Sequence, residues 1–179
     1  LRFDLLEARW DNPVGGNILA IDNTFGDPVF VSWGQDGLPV VERSGYDFNA
    51  RPTPFQEPAD DVFALGSFTH RNNPITAGTS ITQIDLFLRG NITAIAADLT
   101  EEIIGTREFD FRFFHNETPN AADPCADGGA NGVGVNINGC ADSVDVSAVA
   151  GTDTFNAVGQ EWTLDILGLP AATESFLEK

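Results

Sequence analysis

Apolar and polar side chains alternate along most of this chain. Phe109, Phe111 and Phe113 are separated by Asp110 and Arg112, Trp162, Leu164 and Ile166 by Thr163 and Asp165, and Val144 and Val146 flank Asp145. A period of two is the mark of a half-buried β-strand, because successive side chains of a strand point to opposite faces. Ile84, Leu86 and Leu88 obey the same rule, and Arg89-Gly90 reads as a hairpin turn leading into a second strand from Asn91 to Ala97. Further strands are expected at Phe3 to Trp10, Asn17 to Asp22, Val29 to Trp33 and Val62 to His70. No segment sustains a 3.6-residue period, and Thr100-Glu101-Glu102-Ile103 reads as a single helical turn. Turn formers recur roughly every ten residues, supplied by 18 Gly and 10 Pro. The expected fold is all-β, an antiparallel β-sandwich or jelly roll with long loops.

A chain of 179 residues fits one domain and can bury roughly 70% of its unfolded surface. Composition hardly shifts along it, so residues 1–179 are read as a single sandwich domain. Two long loops are expected, at 50–61, where three prolines fall among polar residues, and at 121–138, which is rich in Gly, Asn and Asp. Long loops in a compact domain are usually functional or cross-linked. Cys125 and Cys140 bracket most of the second loop and are expected to form the chain's one disulfide, worth about 3 kcal/mol for a closed loop of this size. A disulfide implies an oxidising compartment.

Charge narrows the partners. There are 27 acidic residues against 9 basic ones, a net charge of -18. A field of that sign repels nucleic-acid phosphates and anionic lipid headgroups. No run reaches the roughly 20 apolar residues of a membrane helix. The chain has no methionine, even at position 1, as expected of a mature fragment whose leader has been removed. Secretion or display at the cell surface is therefore the expected location.

Two segments carry the only histidines, Phe68-Thr69-His70-Arg71-Asn72-Asn73-Pro74-Ile75 and His115-Asn116-Glu117-Thr118-Pro119-Asn120. With Ser44-Gly45-Tyr46-Asp47-Phe48 and Asn138-Gly139-Cys140-Ala141-Asp142, they resemble the signature of the THxN group of exported bacterial proteins, within the choice-of-anchor class. The resemblance covers roughly residues 44 to 168. It implies a secreted or surface-displayed module, of a group without an established activity.

Each histidine ends an apolar run and opens a turn, so Thr69, His70, Asn72, His115 and Asn116 are read first as structural corners. A neutral imidazole donates from one nitrogen and accepts at the other, and Asn bonds locally in Asx turns. The sharper reading has antiparallel neighbours bringing His70 and His115 together, with Glu117 or Asp47 completing a small metal set or a metal-dependent active site. Calcium has its own candidates in Asp123, Asp127, Asn131, Asn138 and Asp142, with Asp22, Asn23 and Asp27 as a weaker group. The run from Asp123 is not an EF-hand, since Cys125 and Gly134 occupy ligand positions. Trp10 and Tyr46, both near turn residues, are candidates to stack on a sugar ring, whereas the parity of Trp33 and Trp162 assigns both to the core. Nucleophile-elbow, dinucleotide and P-loop motifs are absent from the sequence.

The expected function is thus a non-catalytic module with a structural or adhesive role. It would assemble with itself into a filament or matrix by exchange of terminal strands anchored by Phe3, Leu5, Phe176 and Leu177, or bind other surface proteins or polysaccharide. The alternative is calcium-assisted binding of a carbohydrate or other ligand. The third reading is a metal-dependent enzyme built on His70 and His115.

Overall fold

The structure, a computed structural model, describes residues 1–58, 61–137, 139–149 and 152–165. The fold is an all-β, antiparallel sandwich closed by one disulfide. Its strands are β1 (Arg2–Gly15), β2 (Ile18–Asp22), β3 (Val29–Trp33), β4 (Ser44–Ala50), β5 (Phe55–Gln56), β6 (Gly66–Arg71), β7 (Ile81–Ile95), β8 (Glu101–Asn116), β9 (Ser143–Ala148), β10 (Thr152–Ala157) and β11 (Gln160–Asp165). One sheet has the order β5-β1-β7-β8-β9 and the other β2-β3-β4-β6. A hairpin of β10 and β11 stands apart from both, with Phe155, Ala157 and Trp162 packed on Ala94.

The alternating residues meet in one core. Phe3, Leu5, Ala8 and Trp10 of β1, Ile84, Leu86, Leu88 and Ile92 of β7 and Phe109, Phe111 and Phe113 of β8 face Val29, Val31 and Trp33 of β3 and Tyr46 and Phe48 of β4. In β1 the inward parity changes from odd to even between Leu5 and Ala8. The ladder to β7 shifts between Leu5 and Glu7, and this bulge leaves Leu6 41% exposed while its neighbours in the pattern stay inside.

Three expectations are corrected. Arg89-Gly90 is no turn, because β7 runs unbroken through it between β1 and β8. Gly90 is there for closeness, since a Cβ would stand 2.9 Å from the Asp4 carbonyl oxygen and 3.2 Å from Leu5 Cα. Thr100-Glu101-Glu102-Ile103 is not helical. Glu101 to Ile103 pair with Ile95 to Thr93 as the start of β8. The strand expected from Val62 begins only at Gly66. Phe3 and Leu5 are 1% and 2% exposed within the chain's own sandwich, and β1 is paired with β7 along its length and with β5 at Arg2 and Phe3, so lending this strand to a neighbour would open the core. Ile166 and the Phe176-Leu177 pair lie outside the described residues.

The loop at 50–61 contains the short edge strand β5, which pairs Phe55 and Gln56 with Phe3 and Arg2. In the second loop Cys125 and Cys140 form the expected disulfide, and Gly134–Asn136 make one 3-10 turn. No helix of the described residues is long and apolar enough to cross a membrane.

Candidate functional site

At one end of the sandwich the inward-facing positions become polar. On β8 the series Phe109, Phe111, Phe113 continues to His115, on β6 Phe68 is followed two residues later by His70, and before β9 the parity of Val144 and Val146 runs back to Asp142. His70 therefore comes from the four-stranded sheet, and His115 and Asp142 from the five-stranded one. The two histidines are not neighbours in a ladder, as the sequence suggested, but meet across the interior with ring centroids 5.2 Å apart.

The third member is Asp142 rather than Asp47. Asp142 Oδ2 lies 3.8 Å from His70 Nε2 and 3.8 Å from His115 Nε2, and one donor atom from each of the three residues falls within 4.8 Å of the others. The side chains of His115 and Asp142 are 0% exposed and that of His70 is 9%. Asp47 is tied to Arg71 Nε at 2.6 Å. Glu117 is nearby, with Oε2 3.3 Å from His115 Nε2.

Each member is fixed from behind. Tyr46 Oη and His115 Nδ1 share a 2.7 Å hydrogen bond. The Thr118 amide donates to Asp142 Oδ1 at 2.7 Å, assisted by the Thr118 hydroxyl at 3.3 Å, which leaves Oδ2 turned toward the imidazoles. The disulfide loop sets the position of this carboxylate. Asn72 Nδ2 donates to the Cys140 carbonyl and Asn136 Oδ1 accepts from the Ala141 amide. Trp33 packs on both imidazoles, with centroids 6.3 Å from His70 and 5.3 Å from His115.

The polarity of this corner is incompletely answered by the protein itself. Among the described residues, His70 Nε2 and Asp142 Oδ2 are buried without a hydrogen-bond partner, as is Asn72 Oδ1. A separation of 3.8 Å is too long for a hydrogen bond. Burial, with His115 and Arg71 alongside, pushes His70 down to about 3, so its imidazole is neutral near pH 7. Burial raises Asp142 to about 6 against the opposing pull of the Thr118 amide, and the Glu117 carboxylate adds to the rise. Burial likewise drives the Tyr46 hydroxyl upward, keeping it protonated.

Thr69 and Asn116 are exposed, so only His70, Asn72 and His115 of the expected corner residues face this cluster. The calcium cage is not assembled. Asp127 accepts from the Gly129 amide and from Asn136 Nδ2, Asn131 spends its amide on the Asn120 and Ala122 carbonyls, Asp123 is exposed, and Asp142 points into the histidine pair instead. Asn138 lies outside the described residues. In the weaker group, Asn23 bridges the Trp10 amide and carbonyl, and Asp22 accepts from the Thr24 amide. Trp10 and Tyr46 are corrected as stacking candidates, being 1% and 0% exposed. Nearness to turns misleads there, since both side chains point into the core between the sheets. A shallow groove of about 520 Å³ lined by Leu1, Ile95 and Trp162 contains none of the cluster residues.

The Asp- and Asn-rich loop around Asp142 points in the sequence to calcium. Counting back in twos from Val146 through Val144 places Asp142 on the core face, and that was the signal that could have joined it to the histidines. No protein-family model matches this chain, and no curated protein matches it either.

Proposed function

We propose that this chain works outside the cytoplasm as a non-catalytic module with a structural or adhesive role. The observation that carries the reading is the closure of the polar cluster. Its His115 and Asp142 side chains are 0% exposed and its histidines are walled by Trp33 and Tyr46, so among the described residues the groups best suited to chemistry are largely shut off from a substrate. Catalytic groups have to come within hydrogen-bond reach of the reacting atoms. The Cys125–Cys140 disulfide and the net charge of -18 support service in an oxidising, aqueous setting, as does the resemblance of residues 68–75 to the THxN signature.

The compartment is tested by recovering the chain from extracellular and cytoplasmic fractions and alkylating it without prior reduction. Recovery from the extracellular fraction with both cysteines protected is the expected result, and a cytoplasmic protein with two alkylated thiols overturns it. Self-association is tested by sedimentation at dilute and high concentration. With β1 engaged internally, assembly has to use sheet edges such as β2, β6 and β9 or the segment after residue 165, and a strict monomer at both concentrations removes the filament or matrix role.

A further inference from the structure

We propose that His70 Nε2, His115 Nε2 and Asp142 Oδ2, with Glu117 as the fourth ligand, form a buried site for one zinc ion that ties the two sheets and the disulfide loop together. Three independent observations carry it. One donor atom from each of His70, His115 and Asp142 lies within 4.8 Å of the others, and Glu117 Oε2 is 3.3 Å from His115 Nε2. Two of them, His70 Nε2 and Asp142 Oδ2, are buried with no hydrogen-bond partner among the described residues, and native interiors rarely leave such groups unanswered. The remaining nitrogen of His115 is held by Tyr46 at 2.7 Å, the arrangement by which a metal-bound imidazole is oriented from its far side. With a metal on Nε2, the proton resides on Nδ1 and is donated to the Tyr46 oxygen.

The donor set selects the class of ion. Imidazole nitrogen with carboxylate oxygen suits zinc and its first-row neighbours, while calcium and magnesium take shells of oxygen. Tetrahedral zinc with bonds of about 2.0–2.1 Å holds its ligands about 3.4 Å apart. The observed 3.8 Å separations of Asp142 from each imidazole need to close by about half an ångström, and the full spread of the three donors, 4.8 Å, by about 1.4 Å, which side-chain rotations of the three residues together have to supply. Glu117 sits at the edge of the cluster, its side chain 24% exposed, and by exchanging its contact with His115 for the metal it fills the fourth position from the solvent side. A site with four protein ligands is structural in type. This assignment stands apart from the proposed compartment and role, since a zinc site of this kind is compatible with either outcome there.

A simpler account has a water molecule bridging the three donors, and the experiment separates the two. The intact, oxidised, tag-free chain is stripped with chelator, then titrated with Zn²⁺ in the presence of excess Ca²⁺, which occupies surface carboxylates. One equivalent is expected to bind with saturation and to raise the Tm, because the ion favours the folded state. Co²⁺ in its place is expected to give the intense visible bands of a tetrahedral site. His70→Gln and Asp142→Asn, the latter keeping the Oδ1 that accepts from Thr118, are expected to weaken binding by more than about 100-fold, and Tyr46→Phe by about 10- to 100-fold. Absence of saturable binding, binding with no rise in Tm, or folded variants that bind as tightly as the parent overturns the site. Should a variant fail to fold, X-ray absorption of the zinc-loaded parent decides, two imidazoles in the first shell upholding the assignment and none refuting it.

Discussion

Replacing Tyr46 with phenylalanine removes one oxygen and leaves a buried ring in place. That oxygen lies 2.7 Å from His115 Nδ1. Tyr46 is 0% exposed, and so is the side chain of His115, so the imidazole cannot replace its lost partner with solvent. An orphaned buried polar group costs about 1–3 kcal/mol. For a chain of 179 residues, each kcal/mol moves the Tm by about 2–4 °C, so a fall of about 2–12 °C is expected. The ring's contacts with Trp10, Trp33 and Phe68 are untouched, which assigns the loss to the hydroxyl. Thermal unfolding followed by circular dichroism, run with chelator present, measures the fold without any contribution from bound metal. An exposed tyrosine would leave stability within about 0.5 kcal/mol. A Tm within about 1 °C of the parent would refute the placement of this residue and with it the hydrogen-bonded support of His115.

Gly90→Ala puts a methyl group 2.9 Å from the Asp4 carbonyl oxygen and 3.2 Å from Leu5 Cα, backbone atoms of the paired strand β1 that can shift only at a cost. The expected cost is about 1–3 kcal/mol in a urea melt, whereas a solvent-facing turn at this position would tolerate the change. Replacing Cys125 and Cys140 together with serine releases the loop that holds Asp142. A loss of about 3 kcal/mol is expected, and unchanged urea midpoints would show that the loop is ordered without its cross-link. Asp85 lies behind the core face, where hydrogen bonds from Arg112 at 2.8 and 3.0 Å hold its carboxyl below the ordinary 3.8. A depressed folded value means that this contribution is full above pH 3.8 and is lost as the pH falls through the lower value. Asp85→Asn is therefore expected to lower the Tm near neutrality and to flatten its fall in acid, and parallel Tm–pH curves for variant and parent would contradict this.

The alternation of side chains revealed the strands because most of them have one wet face, and it failed where that condition lapsed. β7 is covered on both sides, so Asp85 and Phe87 are buried along with Ile84, Leu86 and Leu88, and a glycine within it imitates a turn. The bulge at Leu6 breaks the parity of β1 without breaking the strand. The cluster was hidden for a different reason. His70, His115 and Asp142 are far apart in the chain and belong to two sheets, and periodicity within a strand says nothing about which strand lies opposite. Yet each of the three obeys the alternation of its own segment, following Phe68, following Phe113 and preceding Val144 on the inward face. Glu117 takes the next step after His115. Since His115 pairs with Val144, continuing the register brings Glu117 opposite Asp142. Three inward series thus reach the same end of the sandwich, one ending in His70, one in His115 and Glu117 and one in Asp142, all of them metal-binding types of side chain. An interior that needed only to be filled is often served as well or better by apolar side chains. Polar donors stand there instead, with Thr118 and Tyr46 aiming them, which is the arrangement the proposed zinc site accounts for.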